Sequence, residues 1–170
     1  MIDFLASLEQ IPFFVWVRES GSIWGYAMIL FLHTMGMAVV VGLSSLIDLR
    51  LLGISPKTPL KPLEWLYPWT WWGFAVSAAS GTILLIADAT TKLTNPTFYV
   101  KMGFVILGVA VLQVMRTRVF GDPQLDQGPV TSSARNLAWI SLVCWIGAIT
   151  AGRLLAYLGP VSGLPGLKNL

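Results

Sequence analysis

Four long apolar runs separated by short polar stretches dominate the chain. The first covers residues 23–47 and carries no charge; His33, Thr34, Ser44 and Ser45 are its clearly polar members. The second covers 69–88 and is closed by Asp88. The third covers 97–115, with Asn95 and Pro96 placed as N-cap and first-turn residue. The fourth covers 136–158, and Gly159-Pro160 is its stop signal. A spanning helix needs about 20 mostly apolar residues to cross about 30 Å of hydrocarbon, and each run comes close. No stretch shows the alternation of a strand. The pattern predicts an all-α fold, a polytopic membrane four-helix bundle forming one membrane domain over residues 1–170.

Residues 2–17 differ in kind. Asp3, Ser7 and Gln10 fall at i, i+4 and i+7 and leave Ile2, Leu5 and Leu8 opposite, while the apolar run over 11–17 is too short to span. This predicts an N-terminal amphipathic helix lying in the interface plane, or packed on a partner subunit. Between the first two spans, Pro56, Pro59, Pro62 and Pro68 exclude one continuous helix, and Trp65, Tyr67, Trp69, Trp71 and Trp72 suit an aromatic belt at headgroup level. Residues 116–134 read as an exposed polar loop.

Composition narrows the function classes. Only 11% of residues are charged and 55% are hydrophobic, against about 25% charged in a soluble domain; mean hydropathy is +0.72. The net charge of +3 comes with no basic run, so nucleic acid is not an expected partner. The single cysteine, Cys144, excludes an internal disulfide and a Cys-based zinc site. Asp3 and Glu9 precede the first basic residue, Arg18, so the first true span is expected to drive insertion. Arg50, Lys57, Lys61, Arg116, Arg118 and Arg135 fall on one side. The other holds Arg18, Lys92 and Lys168, besides Lys101 and Arg153 within their helices. The positive-inside rule then places both termini outside a bacterial inner membrane and the two longer loops in the cytoplasm.

His33 is the sharpest candidate for chemistry. It lies about 15 Å into the first span, near the midplane, where an ionisable residue marks a functional site by default. Neutral imidazole is a common ligand of haem iron. Three readings stand: axial ligand of a b-type haem, contact for quinone or a proton, and hydrogen bond between helices. In the first, Lys101 and Arg153 would hold the propionates and Met102 is the best-placed intrachain sixth ligand. The alternative for the two cations is snorkelling to the headgroups, with Asp88 as an ion-pair partner. Asp48 and Arg50 close the inner end of the first helix and complete a polar set with Asp88. Gly36, Ser77 and Gly81 allow close helix approach, the last two at small-xxx-small spacing. No phosphate loop, zinc-protease motif or nucleophile elbow is present, and no repeat suggests a transporter.

The stretch F-L-H-T-M-G-M-A-V-V-V-G around His33, the following D-L-R-L-L-G, P-W-T-W-W-G-F from Pro68, N-x-x-F-x-x-K at Asn95 to Lys101, and A-G-R-L-L-A-Y around Arg153 resemble an uncharacterised family of short four-helix bacterial inner-membrane proteins. The architecture resembles that of four-helix b-type cytochromes and copper-resistance membrane domains. The resulting expectation is a membrane subunit in electron transfer or anchoring, bound to one b-type haem or contacting quinone. It would sit in lipid beside membrane or extracytoplasmic redox subunits or a second copy of itself. The alternatives are a cofactor-free structural subunit and a small-solute permease.

Overall fold

The computed structural model describes residues 2–123, 125, 126 and 128–158. Among these there are only helices and turns. Two short helices, α1 (Ile2–Glu9) and α2 (Pro12–Glu19), precede a π-helical turn, Ile23–Ala27, that opens directly into α3 (Met28–Leu51). A 3-10 turn, Lys61–Trp65, leads into α4 (Leu66–Ile86); then come α5 (Ala89–Leu93), α6 (Pro96–Arg118) and α7 (Ser132–Leu154). Four helical stretches, Ile23–Leu51, Lys61–Ile86, Pro96–Arg118 and Ser132–Leu154, are long and apolar enough to cross a membrane.

The boundaries have local causes. α3 runs past the apolar stretch to Leu51 because its stop is Gly53, at φ +99°. The Gly53 and Ile54 N–H groups return to the carbonyls of Arg50 and Leu49, at 3.2 and 3.0 Å, closing a Schellman motif. α4 begins before Trp69 because Pro68 falls in its first turn, where the missing N–H has no helical partner to lose. Asn95 caps α6, its side chain accepting from Thr97 N–H at 2.9 Å, and Thr131 caps α7 through Ala134 N–H at 3.3 Å. That cap starts the last helix earlier than residue 136. The helix also ends at Leu154, and the turn after it is held by Asn95, whose Nδ2 donates to the Leu158 carbonyl at 2.7 Å. Gly159, Pro160 and Lys168 lie outside the described residues.

α3 packs against α4 on one side and α7 on the other, and α6 packs on α7. Only 17–33% of each apolar window is buried. Many large apolar side chains, among them Phe31, Met35, Trp72, Ile106 and Ile146, are therefore left exposed on the outer faces of these helices. The main apolar core lies at one end, where Ile47, Leu51, Leu60, Tyr67, Met115 and Phe120 close under the two loops. Asp126 ties those loops together by accepting from the Leu60 and Lys61 N–H groups at 2.7 and 2.9 Å.

At the opposite end, the N-terminal segment is two helices broken before Pro12, not one helix over 2–17, and both dock on the bundle. Glu9 accepts from Thr90 N–H and Oγ1, at 2.6 and 2.8 Å, and so caps α5. Arg18 donates to the Ala87 carbonyl at the end of α4, at 3.0 Å, and Val17 is buried beside it. Gly25 permits this closure: a Cβ there would lie 2.8 Å from Ser20 Oγ and 3.2 Å from the Val17 carbonyl oxygen.

Candidate functional site

His33 faces α4 from α3, at the closest approach of the two helices. Gly73, Ser77 and Gly81 recur every fourth residue on α4 and form one small-residue stripe. A Cβ on Gly36 of α3 would come within 2.7 Å of both the Gly73 carbonyl oxygen and the Ser77 nitrogen. Backbone therefore meets backbone, and His33 sits one turn beyond that contact. Its Nδ1 lies 2.8 Å from the Ser77 carbonyl oxygen. A carbonyl oxygen only accepts, so Nδ1 carries the proton and, in the neutral ring, Nε2 keeps the lone pair. Ser77 Oγ answers by donating to the His33 carbonyl at 3.2 Å. The ring is half-buried and rests on Gly81.

Two ammonium groups lie within electrostatic reach of His33, those of Lys101 and Lys92. Lys101 runs from α6 along α7, where a Cβ at Gly152 would touch its Cε at 3.6 Å and lie 3.9 Å from Nζ. Lys92, on α5, donates to the Leu84 carbonyl at 2.7 Å and lies 3.9 Å from Asp88 Oδ2. Burial pulls the Lys92 ammonium below the usual lysine range, against the opposing pull of Asp88. In the sequence, Lys92 stands out only as a topology charge. Its i, i+4 spacing from Asp88 was the available signal.

The remaining candidates separate. Arg153, in the last turn of α7, is exposed, and Met102 is turned outward at 36% exposure. Asp88 pairs with Lys92 rather than with Lys101 or Arg153. Asp48 and Arg50 lie at the other end of the bundle and do not pair with each other: Arg50 donates to the Thr58 and Pro56 carbonyls, whereas Asp48 points inward. The polar set of Asp88, Asp48 and Arg50 is thus split between the two ends. No group of three metal-ligating side chains occurs among the described residues.

Chemically, the arrangement provides one imidazole whose tautomer is fixed by a backbone carbonyl, with Nε2 as the electron-pair donor and two cations nearby. No protein-family model, curated protein or solved structure matches the chain.

Proposed function

We propose that this chain is an integral-membrane subunit of an electron-transfer assembly, in which Nε2 of His33 contacts the redox group, a b-type haem or, in its place, a quinone. The observation supporting this reading is the Nδ1 hydrogen bond to the Ser77 carbonyl. It is the kind of outer-shell bond that fixes a ligating histidine's orientation and raises the basicity of its free nitrogen. The donor set fits one axial position. His33 would hold the iron, and Lys101, with Lys92 beside it, would offset the negative propionate edge. When bound, the haem supplies one-electron redox chemistry. Arg153, exposed on α7, would meet headgroups or an extracytoplasmic partner subunit. In this reading the α5 end faces outward and the two loops face the cytoplasm.

A second reading rests on a specific observation of its own. The reciprocal His33–Ser77 pair is a clasp between α3 and α4, and it suits a cofactor-free structural subunit equally. Visible spectra of the detergent-purified protein, oxidised and then dithionite-reduced, separate the two readings when set beside those of His33→Ala. A Soret band lost in the variant supports the haem subunit. A colourless protein from haem-sufficient cells overturns it, and solvent extraction then tests whether quinone is retained by the wild type alone. A protein without either group, destabilised by His33→Ala, is the clasp.

A further inference from the structure

About 22 Å along α3 from His33, the bundle buries a separate set of polar side chains. α3 contributes Ser44 and Asp48, one turn apart; α4 contributes Tyr67, and α7 contributes Ser141. Each is at most 1% exposed. Among the described residues, Ser44 Oγ, both Asp48 carboxylate oxygens, Tyr67 OH and Ser141 Oγ find no hydrogen-bond partner, and one turn further along α7 neither does Trp145 Nε1. Ser141 faces Asp48 without completing a bond to it. Protein interiors pair nearly all such atoms, so a cluster of orphaned oxygens calls for an occupant.

The missing partner is positive. Among the described residues, none of the charged groups around Asp48 forms an ion pair with it. Arg50, on the same helix, is held by the Thr58 and Pro56 carbonyls. Arg116 of α6 lies over the Tyr67 ring, 5.9 Å from its centroid. Glu64, ahead of α4, pairs with Lys61 at 3.1 Å. On α7, Arg135 is exposed and Cys144 is a buried thiol. A lone carboxylate in such surroundings either takes up a proton or binds a cation.

We propose that Asp48, Ser44, Tyr67 and Ser141 form a buried site for one small exchangeable cation, a proton or Na⁺. In the proton case, one O–H bond forms on an Asp48 oxygen and hydronium is left as water. In the sodium case, the five side-chain oxygens supply a hard-cation shell, completed by water. Entry is from the loop end. A void of about 160 Å³ is lined there by Leu51, Leu60, Ala134 and Leu137, among others. Leu51 is one turn from Asp48 on α3, and Leu137 is one turn from Ser141 on α7. The site does not depend on any reading of His33.

The test is infrared spectroscopy of the full-length protein in lipid nanodiscs, titrated with acid in NaCl and in choline chloride. A protonated-carboxyl C=O band assigned by ¹³C-aspartate labelling, missing in Asp48→Asn and rising as pH falls, is the expected result. An unchanged midpoint in the two salts identifies the proton alone as occupant; a midpoint about one pH unit lower in NaCl identifies competing Na⁺. Absence of any Asp48 band at all pH values in both salts overturns the proposal, as does a band that never titrates. Should Asp48→Asn fail to fold, Ser141→Ala removes one oxygen and must move the midpoint; an unmoved midpoint also overturns the site.

Discussion

Gly81 of α4 lies directly against the imidazole of His33: a Cβ there would stand 2.8 Å from Cε1 and 2.9 Å from Nδ1. The ring cannot swing aside without giving up its bond to the Ser77 carbonyl. Gly81→Ala is therefore expected to destabilise the protein by about 1–2 kcal/mol, the overpacking penalty less the gain in helix propensity. In a His33→Ala background the clash is gone, and the same substitution should be neutral or stabilising by up to about 1 kcal/mol. Thermal unfolding of the four proteins in one detergent reads the cycle; additive effects would show that the two residues do not meet.

Gly36 presents a harder constraint, because the atoms facing its missing Cβ are backbone atoms of Gly73 and Ser77. Gly36→Ala must push α3 and α4 apart and stretch the His33–Ser77 bond with them. The expected cost is about 2–3 kcal/mol, larger than for Gly81→Ala. Gly42→Ala and Gly103→Ala are the controls, since a Cβ at either meets nothing within 4 Å. Equal unfolding temperatures for Gly36→Ala and the controls would contradict the close approach.

These contacts show what the sequence made legible. The four long apolar helices and the Ser77–Gly81 stripe follow from hydropathy and spacing, because a helix that is apolar nearly all round advertises itself residue by residue. Which way a side chain turns within its helix does not. Lys101 and Arg153 read alike as charges near helix ends, yet one lies along α7 near His33 and the other is exposed. Asp48 and Arg50 read as a terminal pair, but two residues along a helix is about half a turn, so one enters the bundle and the other leaves it. The docking of α1 and α2 was hidden for another reason: it depends on Glu9 reaching Thr90 and Arg18 reaching Ala87, partners remote in sequence that no periodicity encodes.

That docking is testable by itself. Arg18→Ala removes the donor to the Ala87 carbonyl, and Glu9→Ala removes the cap of α5. Both sites are partly solvated, so each change is expected to cost only about 1 kcal/mol. The sharper readout is local. Limited proteolysis should cut between α2 and α3 faster in either variant, and fastest in the double variant, while the four long helices stay protected. Cleavage at the wild-type rate would mean that α1 and α2 are held by their apolar contacts alone.

Acid should loosen the two ends of the bundle before its centre. Burial tends to raise the Glu9 carboxyl, but the Thr90 N–H and hydroxyl, with the Arg18 charge and the Ala89 N–H, together outweigh it and hold the group below its ordinary range. The Leu60 and Lys61 N–H groups do the same for Asp126. A carboxylate depressed in the folded state contributes stability that is fully present above its unfolded pKa. That contribution is lost as pH falls through the folded value. The window therefore runs from the ordinary carboxylate range down through the depressed folded values, and neutral or alkaline pH leaves both ties intact. Hydrogen exchange should show the amides of Leu60, Lys61 and Thr90 losing protection in that acid window, ahead of those in α3 and α7. Asp126→Asn should expose the first two at neutral pH and leave Thr90 unchanged, whereas Glu9→Gln should do the reverse. Simultaneous loss of all three in either variant would show that the ends are coupled through the bundle, and the account of two independent ties would fail.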